Sequence, residues 1–378
     1  MAERGRSFDV AVLGAGCTGA VIAYSLARRR ILPLVIDTVQ GHLPAPASPV
    51  ASVLDGNTPD MRLAIRSAER LPDLQDAVGP FGYRRTGGMW AALSDADAAT
   101  GQARADAARA AGLPVAWLSR EETLRREPGL SELVAGTVYC GHDGVADASA
   151  LSRRLLAAAG RFGGAVQLDC GYVVVARQPS GFRITAGHDD VIARRLVVAS
   201  GALLRALGRS LGVDLPLRIR RRRLCVTERV PPALRHTVGG IRQEPSGAFV
   251  LDPPPVIAEG DPKMDVTDEV DALRRIVTAA VRLVPAVEQA RLLHAPRWTF
   301  VEPADGRPAV GRLDDDLYVA IAADDQAVTL AHVIGETTAE AIAKHRWPEG
   351  LEIWGPERFT AAASARTSAW VQDSTQGS

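Results

Sequence analysis

Cysteine is scarce in this chain of 378 residues. The four cysteines are far apart and form no C-x-x-C pair, so the sequence offers neither a zinc or iron–sulfur motif nor a disulfide framework. They are Cys17, Cys140, Cys170 and Cys225. No metal site is therefore expected, and this cysteine usage fits a reducing, cytoplasmic location.

The chain also lacks an excess of charge of either sign. Lys plus Arg and Asp plus Glu number 44 each, which gives a formal net charge of zero. No overall field therefore draws the protein to nucleic acid or to an anionic membrane surface. With 47% hydrophobic and 23% charged residues, the composition is that of an ordinary soluble globular protein.

A clear targeting or membrane-spanning segment is missing as well. Residues 10 to 27 are uncharged, but glycine, threonine and serine interrupt them. Arginines follow at 28 to 30, which is the wrong flank for a secretory signal. This stretch is therefore interpreted as a nucleotide-binding turn or, alternatively, as a glycine-rich structural turn.

The nucleotide interpretation is favoured by a G-x-G-x-x-G pattern at Gly14, Gly16 and Gly19. The apolar run 8–13 predicts a buried strand before these glycines, and apolar residues at helical spacing follow them. A second apolar run, 34–36, ends at Asp37. Strand, glycine turn, helix, strand and acid in this order are typical of a dinucleotide-binding βαβ unit.

Each residue of the pattern has a physical role in that interpretation. Gly14 permits the tight turn, Gly16 lets the backbone approach a pyrophosphate, and Gly19 lets the helix pack closely on the strand. The helix N-terminus, with Ala15 and Thr18 in the turn, offers N–H groups to the phosphates. Asp37 is expected to accept the ribose hydroxyls.

The rest of the chain alternates predicted strands and helices. A capping box at Ser119 and Glu122 predicts the start of a short helix. Other helices are predicted at 95–112, 148–160, 267–283 and 327–345. Strands are predicted at 83–92, 115–118, 166–176, 182–186, 191–199, 217–229, 247–251 and 295–301. From residue 361 the small, polar tail is expected to be flexible or to be used by a partner.

This order of segments resembles the D-amino-acid oxidase superfamily of FAD-dependent oxidoreductases over nearly the whole chain. The resemblance is carried by the glycine turn and by five later stretches. They are WLSREETLRREPGL (117–130), DGVADASALSRRLLAAAGRFGGAV (143–166), RRLVVASGALLRAL (194–207), EPADGRPAVG (302–311) and LYVAIAADDQAVTLAHVIGETTAEAI (317–342). Within the superfamily, 215–231 and 281–290 are most similar to FAD-binding subunits of heteromeric amine dehydrogenases, of the hydrogen cyanide synthase, opine oxidase and D-hydroxyproline dehydrogenase type.

The resemblance implies an α/β fold with two domains. A Rossmann-like FAD-binding domain would comprise 1–82, 137–214 and 310–360. An inserted α+β substrate or partner domain with an antiparallel sheet would comprise 83–136 and 215–309. FAD would also contact Ser200, Gly201, Gln326 and Ala327, with Gly201 passing the cofactor.

The implied activity is oxidation of a C–N bond in an amino acid, imino acid or related amine by hydride transfer to flavin. Electrons would leave through partner subunits of a hetero-oligomer.

Several positions depart from the superfamily pattern where it meets the flavin ring or substrate. Arg221–Arg223 replace Arg-Gly-Gln, Glu302 replaces an arginine that would bind a substrate carboxylate, and Asp324 and Asp325 replace a glycine-rich loop. The candidate substrate-site residues are therefore Glu302, Arg222 and Arg307, with Glu302 suited to a cationic substrate. Two hypotheses remain: an active flavoenzyme with an unusual amine substrate, or a non-catalytic subunit that retains only adenine-nucleotide binding.

Overall fold

The computed structural model describes residues 6–38, 49–50, 58–252, 266–323 and 326–359. Its strands are β1 (Arg6–Leu13), β2 (Pro33–Ile36), β3 (Pro49–Val50), β4 (Gly88–Ala92), β5 (Val115–Ser119), β6 (Gly136–Cys140), β7 (Gly144–Val145), β8 (Ala165–Gln167), β9 (Val173–Gln178), β10 (Gly181–Ala186), β11 (Asp189–Val198), β12 (Leu217–Arg223), β13 (Cys225–Arg229), β14 (Thr237–Val238), β15 (Ile241–Gln243), β16 (Ala248–Leu251), β17 (Leu292–His294), β18 (Arg297–Pro303), β19 (Ala309–Arg312) and β20 (Leu317–Ile321).

The helices in these ranges are α1 (Cys17–Arg28), α2 (Thr58–Ala68), α3 (Leu71–Val78), α4 (Asp95–Ala110), α5 (Arg120–Arg126), α6 (Ala148–Arg161), α7 (Gly201–Leu211), α8 (Val266–Leu283) and α9 (Ala327–Lys344). Short 3₁₀ turns occupy Pro285–Gln289 and Glu352–Trp354. None of the helices described has the length and apolarity needed to cross a membrane.

The first sheet contains the predicted nucleotide-binding unit. Its central path runs β19-β20-β11-β1-β2-β8, and β10 and β9 extend it beside β11. β1 pairs in parallel with both β2 and β11, as a βαβ unit requires. The predicted strand, turn, helix and strand at the N-terminal end are thereby confirmed.

Helix α1 is buried along almost its whole length, from Cys17 to Ala27. It is covered by α9, where a Cβ atom at Gly335 would overlap the side chain of Val21. Because both faces of α1 are enclosed, its sequence has no polar stripe. This burial explains the uncharged run that precedes the arginines at 28–30.

The second sheet has the order β17-β13-β16-β15-β14-β4-β6-β5. Its neighbours are antiparallel except for β14 and β4, which run parallel. The mixed α/β architecture is the expected fold class. The expected domain boundary between residues 136 and 137 falls inside β6, which pairs wholly within this second sheet.

Three long strands predicted from the sequence are shorter or divided. The segment 217–229 forms β12 and β13, which belong to different sheets, and 166–176 is broken between β8 and β9. In 83–92 only Gly88–Ala92 forms a strand. Apolar and β-branched content favours a strand, but it does not reveal where the chain leaves one sheet for another.

A two-stranded ribbon formed by β12 and β18 stands apart from both sheets. The strands are antiparallel, with Arg218 opposite Glu302 and Arg222 opposite Trp298. Alternate residues of a strand face opposite sides, so Arg218, Arg220 and Arg222 share one face with Glu302. This ribbon contains two of the three candidate substrate-site residues.

Candidate functional site

The glycine turn between β1 and α1 is as tight as its sequence requires. Gly14 has φ +115°, and a Cβ there would come within 2.9 Å of the Ser200 Cβ. A Cβ on Gly19 would overlap the Gly14 carbonyl oxygen. These two glycines are therefore needed for the turn itself, and they bring the residues after β11 against it.

Gly16 differs from its neighbours because its position is open. A Cβ atom built there meets no atom of the described residues within 4 Å, although its φ of −66° suits any residue. Gly16 is also the N-cap of α1, and no side chain in the described ranges caps this helix end. The N–H groups of the first turn and the positive end of the helix dipole thus face a space that can hold a phosphate.

Asp37 lies beside this helix end, where β2 finishes. Its Oδ2 accepts a hydrogen bond from Ala15 N at 2.7 Å, and its Oδ1 accepts one from Thr38 N at 2.8 Å. Each carboxylate oxygen has a second lone pair with which it can accept a hydroxyl. Ala15 and Thr18 are buried within the turn. The arrangement fits a dinucleotide whose pyrophosphate meets α1 and whose ribose meets Asp37.

Ser200 and Gly201 adjoin the turn, and Gly201 also makes a close contact with the ribbon. The Ser200 hydroxyl accepts a hydrogen bond from Leu203 N at 3.4 Å and caps α7. A Cβ on Gly201 would overlap the carbonyl oxygen of Val301 in the ribbon. The close approach observed at Gly201 is thus with β18, because α7 begins against that strand.

Gln326 and Ala327 lie at the start of α9. Gln326 is the N-cap, and its backbone N–H donates to Ala323 O at 3.1 Å; within the described part of the chain its side chain does not cap the helix. The buried Thr329 hydroxyl in the first turn has no hydrogen-bond partner there. Asp324 and Asp325, which replace the expected glycine-rich loop, lie outside the described residues.

Glu302 is bound by two arginines of the same ribbon. Its Oε1 accepts hydrogen bonds from Arg218 Nε at 2.8 Å and from Arg220 Nη1 at 3.3 Å. The side chains of Glu302 and Arg220 are only 5% and 6% exposed. The negative charge of Glu302 is therefore already balanced by arginines of this chain. Two guanidinium groups beside the carboxylate disfavour a cationic substrate, which was the expected partner of Glu302.

Arg222 is held by Asp252, the residue after β16 in the second sheet. Arg222 Nε and Nη2 donate to the two Asp252 oxygens at 2.7 and 2.8 Å, and both side chains are buried. Nearby, burial lowers the pKa of the Arg242 guanidinium, an effect that Glu244 and Asp252 oppose. A bidentate pair fixes the direction of the Arg222 fork and ties the ribbon to the second sheet.

Arg307 lies in a separate ion pair with Asp60 of α2. Its Nε and Nη2 donate to the Asp60 carboxylate at 3.2 and 2.9 Å, and the Trp354 Nε1–H donates to the same carboxylate at 2.7 Å. This contact joins α2 to the loop before β19 and to the C-terminal 3₁₀ turn. We assign Arg307 to this junction.

The structure thus brings together residues that the sequence did not connect. Arg220, Asp252 and Arg242 were not among the candidates, although the alternation of arginine along 218–222 indicates that Arg218, Arg220 and Arg222 share a face of a strand. The acidic partners of these three arginines are 30 to 84 residues away in the sequence. Such pairs become visible only when the sheets and the ribbon are assembled.

The buried thiols are poor nucleophiles. Burial raises the pKa of Cys140 to about 12 and that of Cys225 to about 11. Neither therefore has appreciable thiolate character near neutral pH, and neither suits covalent catalysis. Among the residues described, no group of three His, Cys, Asp or Glu side chains is arranged to hold a metal ion.

Comparisons with known proteins agree with the fold and with an FAD cofactor. The chain is 28% identical to an opine oxidase subunit of Rhizobium meliloti over 93% of this chain and 98% of that protein. It is 27% identical to the glycine oxidase of Geobacillus kaustophilus over 89% and 93% of the respective chains.

Among solved structures, L-proline dehydrogenase from P. horikoshii superposes with a TM-score of 0.83 at 18% identity, covering 95% of this chain and 99% of that one. This likeness establishes the fold alone. The model of the FAD dependent oxidoreductase family matches residues 9–341, from β1 into α9. The chain therefore belongs to the FAD-dependent oxidoreductases of the D-amino-acid oxidase family.

Proposed function

We propose that this FAD-dependent enzyme oxidises the C–N bond of an amino acid, an imino acid or a related secondary amine. The observation that carries the proposal is the open helix end at Gly16 beside the Asp37 carboxylate, which suits the dinucleotide part of FAD. Relatives of nearly the same length, named as an opine oxidase subunit and a glycine oxidase, support this substrate class.

In this proposal the chain's own residues bind and orient the cofactor. The first-turn N–H groups of α1 bind the pyrophosphate, and Gly16 lets it approach the backbone. Asp37, already aligned by Ala15 N, accepts the ribose hydroxyls. Ser200, Gly201, Gln326 and Ala327 border the same site. When bound, FAD supplies a two-electron acceptor for the hydride that leaves the carbon beside the amine nitrogen.

We further propose that the chain works as one subunit of a heteromeric enzyme. Two relatives are themselves named as subunits, one of an opine oxidase and one of a hydrogen cyanide synthase, and the chain covers 98% and 85% of their lengths. In such an assembly electrons leave the FAD site through the partner subunits, and a cytoplasmic location suits that arrangement.

Anaerobic reduction of the purified holoprotein tests the proposal. A panel of amino acids, N-alkylated amino acids and simple amines is added while the flavin absorbance is followed, with and without the co-purifying subunits. We expect at least one amine to bleach the flavin, with turnover to an external acceptor only when the partners are present. A protein that holds FAD which no amine reduces would contradict catalysis and favour the non-catalytic subunit.

A further inference from the structure

The first sheet ends in an open edge at β8. Within the described residues this strand pairs in parallel with β2 and with no other strand. The Asp37 N–H donates to the Gln167 carbonyl at 3.0 Å, so the backbone groups of Gln167 point toward β2. Because these directions alternate along a strand, the N–H and C=O groups of Val166 and Leu168 point outward. Outward-facing groups of this kind are a template for pairing with another strand.

Exposed apolar side chains lie along this edge. Val166 and Leu168 are two residues apart and therefore share one face of the strand. Just before β8, Phe162 is exposed as well, and a Cβ built on Gly163 would come within 3.3 Å of the Leu32 side chain. Together, Leu32, Phe162, Val166 and Leu168 form an apolar stripe, and each is between 39% and 51% exposed. Grouped exposed apolar side chains of this kind mark an interaction surface.

The two ends of the apolar stripe carry opposite charges. The exposed arginines at the end where β8 begins are Arg28, Arg30 and Arg161. Asp9 lies at the same end and accepts a hydrogen bond from Leu32 N at 2.8 Å, but none of these arginines forms an ion pair within the described residues. At the other end, Asp169 and Asp189 are exposed, and Asp189 accepts a hydrogen bond from the Gln167 side chain at 2.9 Å. The stripe is therefore positive where β8 begins and negative where it ends.

A surface with this arrangement is complementary to itself. When two copies of the chain meet about a twofold axis, their β8 strands run antiparallel and the same patch forms both halves of the contact. The positive end of each stripe then faces the negative end of the other, and the outward N–H and C=O groups of the two edges can pair. The apolar side chains between the charged ends are removed from water at the same time. A partner surface of a single charge sign would match only one end of the stripe.

We propose that this chain forms a twofold dimer by antiparallel pairing of its β8 edges. Arg161 of each copy then lies near Asp169 of the other copy, and Val166 lies at the centre of the contact. The first sheet continues across both copies, so the open edge is removed. The inference goes beyond the proposed function, because the contact requires neither a substrate nor a different subunit.

Sedimentation velocity of the full-length holoprotein over a range of concentrations tests this dimer. We expect a species of twice the chain mass that dissociates on dilution, as mass action requires. V166K should remain a monomer, because a lysine at the centre of the edge opposes strand pairing. Urea unfolding of V166K checks that the fold is retained, and L168K takes its place if V166K is unstable.

Charge reversal tests the antiparallel arrangement separately from the edge itself. R161E and D169R should each weaken the dimer about 10- to 100-fold, because the twofold axis places every substituted charge in the contact twice. Asp169 has φ +60°, a conformation that an arginine of this chain already adopts at Arg30. The double variant R161E/D169R exchanges the two charges and should dimerise within about 3-fold of the unmodified protein. R274E, which replaces an exposed arginine of α8, is the matched control and should leave the dimer unchanged.

A chain that stays monomeric, or a dimer that V166K leaves intact, would overturn the inference. A double variant that dimerises no better than the single variants would do the same, because the charged ends would not then face each other. Hydrogen exchange of the amides of 165–168 identifies any other occupant of the edge. Slow exchange in a monomer would assign the edge to another segment of this chain, and slow exchange only with the co-purifying subunits would assign it to a different protein. Either assignment also overturns the twofold dimer, and neither bears on whether amines reduce the flavin.

Discussion

Replacing Gly16 by valine separates cofactor binding from folding. The added Cβ meets no atom of the described residues within 4 Å, and the φ of −66° is normal for valine. The side chain would instead occupy the space in front of the first turn of α1. We therefore expect G16V to fold but to lose FAD, because the pyrophosphate can no longer approach the helix N-terminus.

The substitution is expected to change the stability of the apoprotein and of the FAD-bound protein by different amounts. The apoprotein should lose about 1 kcal/mol of stability at most, since valine is a poorer N-cap than glycine. A ligand present at 100 times its dissociation constant stabilises the folded state by about 2.7 kcal/mol, and G16V should lose this stabilisation entirely. G19A is the matched control: its methyl group would overlap the Gly14 carbonyl, so the apoprotein should lose about 3 kcal/mol.

Urea unfolding of the apoproteins measures the loss of stability, and FAD titration followed by flavin fluorescence measures cofactor binding. Apo G16V should unfold at nearly the same urea concentration as the unmodified protein, and it should show no saturable FAD binding. The reasoning is refuted if G16V binds FAD with unchanged affinity. It is also refuted if apo G16V is as unstable as G19A, because Gly16 would then be a structural glycine.

Three further predictions concern single side chains. D37N should weaken FAD binding about 10- to 100-fold, measured by the same titration, because the amide accepts hydroxyls less strongly than a carboxylate does. D60N should cost about 2 kcal/mol in urea unfolding without changing FAD affinity, since it weakens the contacts with Arg307 and Trp354. Burial raises the pKa of Glu336, but hydrogen bonds from Ser25 and Arg29 outweigh it and the net pKa lies below the usual 4.5. This carboxylate therefore stabilises the fold above pH 4.5 and progressively less as the pH falls, so E336Q should cost about 1 kcal/mol at pH 7 and less at pH 3.5 in urea titrations.

The nucleotide-binding unit could be predicted from the sequence because its determinants are local. Gly14, Gly19 and Asp37 lie within 24 consecutive residues, and each is dictated by a turn, a close contact or a strand end. The capping box at Ser119 and Glu122 is likewise local, and both of its hydrogen bonds are present in the structure. Local geometry of this kind requires particular residues at fixed spacing, so it can be recognised in the sequence.

The charged ribbon could not be predicted in the same way. Glu302 and Arg218 are 84 residues apart in the sequence. Arg222 contacts Asp252 across two sheets, because β12 pairs with β18 whereas the following strand, β13, pairs with β16 in the second sheet. The partner of Gly201 is 100 residues away, in β18. A sequence indicates that such charges must be paired if they are buried, but only the folded chain identifies which residues pair.

The identity of the bound nucleotide tests most directly whether this chain binds FAD at the glycine turn. Purified protein is denatured, and the released nucleotide is identified by chromatography together with the visible spectrum of the native protein. We expect flavin absorption bands and one equivalent of FAD per chain in the unmodified protein, and neither in G16V. A colourless protein that releases only an adenine nucleotide, or none after incubation with FAD, would contradict this expectation.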